Sequence, residues 1–197
     1  MPDKYGTSQD EHYCYPNSDV LINKLGLTDG EVLEAAEIEL TQARIDQYEP
    51  NFDDISLPAL RAIHFYLFQD LYDWAGELRM VDISKGNTRF ANVSRIEPEA
   101  DKLFRQLAQE SFLIGLPRAQ FVVRLAHYYC EFNVIHPFRD GNGRTQRLMF
   151  EVISINAGFE IRWEPIGRAE WVDANIAAYD CRLELLTGLL DRALAPI

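Results

Sequence analysis

The stretch AHYYCEFNVIHPFRDGNGRTQRLMFEVISINAG, residues 126–158, is apolar at both ends, while its middle, His136–Arg147, is charged and carries two glycines around an asparagine. Upstream, from Ala119 to Asn133, Phe121, Val122, Leu125, Tyr128, Tyr129 and Phe132 recur at helical spacing, and their wide apolar face predicts a central helix. Downstream, Thr145 to Ala157 predicts a second helix, ended by Gly158. A surface turn would account for the glycines. It would not need an apolar approach, nor a second arginine one helical turn after the first, so the stretch reads as a site held between two core helices.

The residue types in that loop point to one chemistry. Gly141, Asn142 and Gly143 fall at the start of the second helix, where backbone N–H groups have no intrahelical partner and the dipole favours an anion. Glycine lets the backbone approach phosphate oxygens closely. Arg144 and Arg147, spaced i, i+3, can face the same side and reach successive phosphates. Asp140 is placed to hold Mg²⁺, which takes one or two carboxylates plus phosphate oxygens. His136 can accept a proton from an incoming hydroxyl. Together these are the parts of a phosphoryl-type transfer site. The simpler reading of an NG pair is a turn. A zinc site from His127, Cys130, Glu131 and His136 fits no standard ligand spacing, and no G-x-x-x-x-G-K-[ST] phosphate loop is present. His64 reads as a packed or capping histidine, and Tyr128, Tyr129 and Phe132 as core.

The rest of the chain supplies a frame. At 197 residues and 47% hydrophobic, it predicts one principal domain. A formal net charge of −12 argues against a surface for nucleic-acid backbone or anionic membrane. Without a leader-like or bilayer-length apolar run, the chain is expected to be soluble and cytoplasmic, and Cys14, Cys130 and Cys181 to be ordinary thiols. An irregular arm to about Asp19 precedes a helix opened by Thr28 and Glu31 in capping-box spacing, with Val32, Ala35, Ala36 and Ala43 as its apolar positions, stopping before Pro50. Ser56 and Pro58 open another, with Leu60, Ile63, Leu67, Leu71 and Trp74 in register until Gly76. In LRMVDISKGNTRFANV, residues 78–93, the period changes to two, which predicts the chain's one hairpin. A helical pattern starts at Pro98 and runs through Leu103, Leu107 and Phe112, and shorter ones lie near Glu170 and Leu185.

The run HPFRDGNGRTQR matches the H-x-F-x-[DE]-G-N-G-R-x-x-R signature and thereby resembles Fic-domain proteins, and YDWAGELRMVDISKGNTRF, residues 72–90, looks like that family's flap with the helix before it. The resemblance runs from about Leu57 to the last helices. It implies an all-α Fic fold with a small β-hairpin flap, residues 1–54 being an arm and helix packed on a catalytic domain of residues 55–197. The implied activity is transfer of AMP from ATP to a hydroxyl side chain of a target protein. By resemblance His136 is the catalytic base, Phe138 anchors the loop, Asp140 binds Mg²⁺, and Gly141, Asn142 and Gly143 form the anion hole. Arg144 and Arg147 then hold the β- and γ-phosphates. The hairpin, with Lys85, Gly86 and Thr88 near its tip, docks the target segment as an added strand. The intact GNGR favours AMP over the phosphoryl or phosphocholine groups moved by relatives with altered glycines.

Many such proteins carry an inhibitory [ST]-x-x-x-E-[GN] helix. The nearest spacing here, Thr7 with Glu11, is followed by His12 and lacks helical periodicity. That points to a separate small antitoxin, as in the short bacterial Fic toxins whose opening YPNSDVLINKLGL, residues 15–27, resembles, with type II topoisomerase subunits as leading targets. A non-catalytic binding module and a phosphotransferase acting on another substrate are the rival readings. The intact motif tells against the first. Labelled ATP separates the second.

Overall fold

The computed structural model describes Asp10 and residues 12–197. The Thr7–Glu11 spacing lies outside the described residues. Those residues form seven α-helices, α1 (Gly30–Ile45), α2 (Leu57–Phe68), α3 (Ile96–Gln109), α4 (Arg118–Ile135), α5 (Asn142–Asn156), α6 (Arg168–Tyr179) and α7 (Glu184–Ala193). Two short antiparallel strand pairs accompany them: β1 (Ser84–Lys85) with β2 (Thr88–Arg89), and β3 (Phe159–Ile161) with β4 (Leu194–Pro196). The fold is the mostly helical one expected, with the hairpin in its predicted place. The β3–β4 pair is additional. Its strands lie 33 or more residues apart in the chain, so no local turn signal announces them.

α4 is central, as its wide apolar face requires. Phe121, Leu125 and Ala126 are completely buried, and Tyr128, Tyr129 and Phe132 belong to the same core, with α3, α5, α6 and α7 packed around the helix. The α4–loop–α5 hairpin therefore sits with its polar turn at one end of this core.

Four expectations change. The N-cap of α1 is Asp29, whose carboxylate accepts from Glu31 N and Val32 N, so Thr28 forms no capping box. The buried face of α1 is also different: Leu33, Glu37 and Thr41 point inward while Val32, Ala35 and Ala43 are exposed. A carboxylate can occupy that face because Tyr72 and Arg144 satisfy both of its oxygens. α2 ends at Phe68 rather than near Gly76; Leu71 and Trp74 keep helical spacing but lie in turns. There the chain folds back on its own helix, with Gly76 N donating to His64 Nδ1 and Arg61 Nε to Gly76 O, both at 2.8 Å. In the third helix, Pro98 sits in the first turn of α3, whereas Phe112 lies beyond it in a 3-10 turn with φ of 53°.

The described part of the N-terminal arm covers the signature loop. Tyr13, Cys14, Val20 and Leu21 are buried, and Asp10 pairs with Arg139 at 2.9 Å, both side chains almost wholly out of solvent. No described helix is long and apolar enough to cross a membrane, and no three described His, Cys, Asp or Glu side chains cluster to hold a metal.

Candidate active site

The end of α4 sets the first element of the site. His136 caps the helix in a left-handed conformation (φ 48°, ψ 65°), its N–H still reaching Phe132 O. For a residue with a Cβ this conformation costs about 1–2 kcal/mol, and it turns the ring back beside the helix. Nδ1 lies 3.0 Å from the carbonyl of Asn133. A carbonyl only accepts, so Nδ1 carries the proton and Nε2 carries the lone pair. Phe90, at the foot of the hairpin, stacks on the ring at 3.8 Å between centroids. Burial, set against the Asn133 carbonyl and the Asp140 charge, pushes the imidazole down to about 3 from its ordinary 6.5, so it is neutral at physiological pH.

Arg79 joins hairpin and histidine. This arginine is buried, and its guanidinium donates to the carbonyls of His136 (2.8 Å), Val81 (2.8 Å), Ala91 (2.5 Å) and Ile135 (3.2 Å). Two of these are carbonyls at the C-terminal end of α4, where a cation also meets the negative pole of the helix. The other two belong to the chain entering and leaving the hairpin. Its backbone N–H adds a bond to Pro137 O at 2.9 Å.

The loop between α4 and α5 is shaped by its own side chains. Phe138 is buried and stacks on His64 at 3.9 Å. His64 Nε2 meets Asp140 O at 3.0 Å, and burial holds the ring at about 4, neutral and structural as the packed-histidine reading expected. The amide of Asn142 brackets Phe138, accepting from its N–H at 2.9 Å and donating to its carbonyl at 2.8 Å. Gly141 then begins α5 with φ of 76°, and a Cβ there would lie 2.3 Å from two ring atoms of Phe68. Only glycine fits. No side chain caps α5, so its first backbone N–H groups, at Asn142, Gly143 and Arg144, make a cradle of donors at the positive end of the helix. Gly143 has open space where its Cβ would be. Asp140 is buried beside this cradle, its Oδ1 accepting from Gly141 N at 2.6 Å.

A cleft of about 620 Å³ gathers these groups: His136, Asp140, Gly141, Asn142, Gly143, Arg144 and Arg147 share it with Lys85, Gly86 and Thr88 of the hairpin. Every polar site residue read from the sequence thus borders one space, and Phe138 lies beneath it. The two arginines differ from the expectation of a common orientation. Arg144 turns toward α1, donating to Thr41 Oγ1 at 2.9 Å and pairing with Glu37 while lying over Phe68. Arg147 turns toward the far wall, against the rings of Trp163 and Trp171. That wall is α6, which adds Trp171, Val172, Asn175, Ile176 and Tyr179 to the cleft, with Tyr179 OH bonded to Arg89 O of the hairpin at 2.7 Å. Sequence reasoning missed this wall, and also Phe90, Arg79 and Asn133. An arginine among the alternating apolar residues of LRMVDI was the one available signal.

A neutral buried histidine facing an uncapped helix N-terminus, a carboxylate and two arginines across one cleft defines a domain built to act on a phosphate ester. The chain belongs to the Fic/DOC family, which it matches over residues 54–154. It is 45% identical to the "Probable protein adenylyltransferase Fic" of Escherichia coli K12, over 89% of this chain and 87% of that protein. It is 38% identical to the protein adenylyltransferase VbhT of Bartonella schoenbuchensis, over 97% of this chain but 40% of that longer protein. Among solved structures, the N-terminal Fic domain of a VirB-translocated Bep effector protein of Bartonella quintana, with bound ADP, superposes with a TM-score of 0.87 at 27% identity. The match covers 96% of this chain and 97% of that one.

Proposed function

We propose that this protein adenylyltransferase moves AMP from ATP to a hydroxyl side chain of a target protein, with residues 55–197 as the catalytic domain and residues 1–54 packed on it. The observation that carries the reading is the orientation of His136. Its Nδ1 is committed to the Asn133 carbonyl, which leaves the Nε2 lone pair as the base in a cleft that also holds the α5 N-terminus. In the reaction the target oxygen bonds to the α-phosphorus and the bond from that phosphorus to the bridging oxygen breaks. The hydroxyl proton passes to Nε2, and pyrophosphate leaves. The backbone N–H groups of Asn142 and Gly143 carry the phosphate charge, Arg144 and Arg147 the charge of the leaving group, and the α6 wall takes the nucleoside. The target segment lies along the hairpin near Lys85, Gly86 and Thr88 as an added strand.

The residues present fit Mg²⁺. Asp140 is a single carboxylate at the edge of the cradle, which suits a cation that completes its shell with phosphate oxygens and offsets charge on the polyphosphate.

The signature and the opening at residues 15–27 support the finer reading: a cytoplasmic toxin with type II topoisomerase subunits as targets, restrained by a small antitoxin that supplies a glutamate to Arg147. Incubation with ATP and cell extract, followed by mass spectrometry, is expected to find an adenylyl group on a hydroxyl residue of such a subunit. A phosphoryl adduct there would instead favour the phosphotransferase reading.

The depressed imidazole also fixes a pH dependence. His136 stays neutral down to about pH 3, so the acid limb of kcat/KM due to this base is expected well below 6.5; a limb at 6.5 or above would contradict the buried-base geometry. For stability the sign is set by the unfolded chain, whose imidazoles bind protons from about 6.5 downward while the folded rings of His136 and His64 do so only near 3 and 4. The unfolded state holds more protons between those values, and the fold loses stability as pH falls through that window.

A further inference from the structure

From the way the two arginines are held, we infer that Trp163 and Trp171 form a π-faced cradle that positions Arg147 to read the terminal phosphates of a nucleoside triphosphate. The inference rests on the reading of Arg147 as a polyphosphate ligand given above. Arg144 has a carboxylate partner in Glu37 and a hydroxyl partner in Thr41, so its charge is partly offset before any ligand arrives. Arg147 is held differently. Its guanidinium carbon lies 5.3 Å from the ring centroid of Trp163 and 5.6 Å from that of Trp171, its buried Nε makes no hydrogen bond among the described residues, and its remaining neighbours are the Tyr129 hydroxyl and, more distantly, the Glu151 carboxylate. Aromatic faces attract a cation without contributing a formal charge or occupying its N–H donors as a carboxylate would.

The cradle is itself braced. The indoles meet edge to face at 5.3 Å and 81°, Tyr129 packs edge-on against Trp171 at 5.1 Å, and Trp163 Nε1 donates to Glu151 Oε1 at 2.5 Å. Glu151 lies one turn beyond Arg147 on α5, so the same helix face sets the arginine and the anchor of the ring that holds it. Trp171 also borders the cleft, whereas Trp163 does not. Trp163 can therefore act on the nucleotide only indirectly, through Arg147 or through the Trp171 ring it braces, which makes it a positioning residue and the cleaner one to change. Both tryptophans lie outside the span that matches the family.

The test compares affinities for a non-hydrolysable ATP analogue and for AMP in the full chain. Trp163→Leu is expected to weaken the analogue by about tenfold, the scale of a lost desolvated cation–π contact, and to leave AMP within about twofold because AMP has no phosphate for Arg147 to read. Trp163→Phe, which keeps a π face, should recover most of the loss. In an Arg147→Leu background, Trp163→Leu should cost nothing further. Equal losses for AMP and the analogue, or additive losses in the double variant, would overturn the inference by showing a merely structural tryptophan. If the leucine variant does not fold, Trp163→Met replaces it with the same expected pattern. Failure of the wild-type chain to bind the analogue at all would instead overturn the underlying assignment of the phosphate site, and the inference with it.

Discussion

Replacing His136 by alanine is expected to lower adenylyl transfer by about two to four orders of magnitude, the usual effect of losing a positioned general base, while ATP binding stays close to wild type. The two effects separate because the ring and the phosphate cradle belong to different helix ends. His136 closes α4, and the uncapped N–H groups open α5. Alanine can keep the backbone where the histidine left it, since the carbonyl of residue 136 remains the acceptor for Arg79. A left-handed alanine is still strained, and the stack on Phe90 is lost, so a modest drop in melting temperature is expected as well. Full transfer by a folded His136→Ala protein would remove the base from the mechanism.

Two glycines on either side of Asn142 are expected to respond in opposite ways. Gly141→Ala puts a Cβ 2.3 Å from the Phe68 ring and asks an L-residue to hold φ of 76°. Strain of about 1–2 kcal/mol from the backbone and about 1–3 kcal/mol from overpacking should combine to lower the melting temperature by roughly 5–15 °C in a domain of this size. Transfer should fall with it, because the backbone that moves to relieve the clash is the backbone that forms the cradle. Gly143→Glu meets open space and an ordinary helical backbone, so its melting temperature should stay near wild type. Its carboxylate instead stands beside the anion cradle and should abolish ATP binding. Thermal melts alongside nucleotide titrations check the pair. An unaltered melting temperature for Gly141→Ala, or undiminished ATP affinity for Gly143→Glu, would mean that the loop is not built as described.

The parts of the molecule that could be read ahead of the structure were those with short-range rules behind them. The apolar face of α4, the change of period at the hairpin and the glycine–asparagine–glycine run each follow from neighbouring residues, and each appears where expected. What escaped depends on partners far along the chain. Glu37 looks like a solvent-facing acid until Tyr72 and Arg144, 35 and 107 residues away, reach its two oxygens. Arg79 reads as a charge on an exposed hairpin, yet the carbonyls it serves include two at the end of a helix more than 50 residues later. α2 stops early because Gly76 turns back to bond His64, a tertiary contact that overrides a helical pattern intact through Trp74. The same limit applies to the site. The signature picked out His136, the glycine loop and both arginines, which border one cleft, but the spacing of Arg144 and Arg147 could not show that one is tied to a carboxylate and the other packed on two indoles.

The central claim is that the group transferred is AMP. Purified protein incubated with a target and with ATP labelled either at the α-phosphate or at the γ-phosphate separates the possibilities in one gel. The account predicts label on the target from α-labelled ATP alone, lost in the His136→Ala variant, since the bond that breaks lies between the α-phosphorus and the departing pyrophosphate. Label from γ-labelled ATP, or α-label that survives the loss of His136, would contradict it.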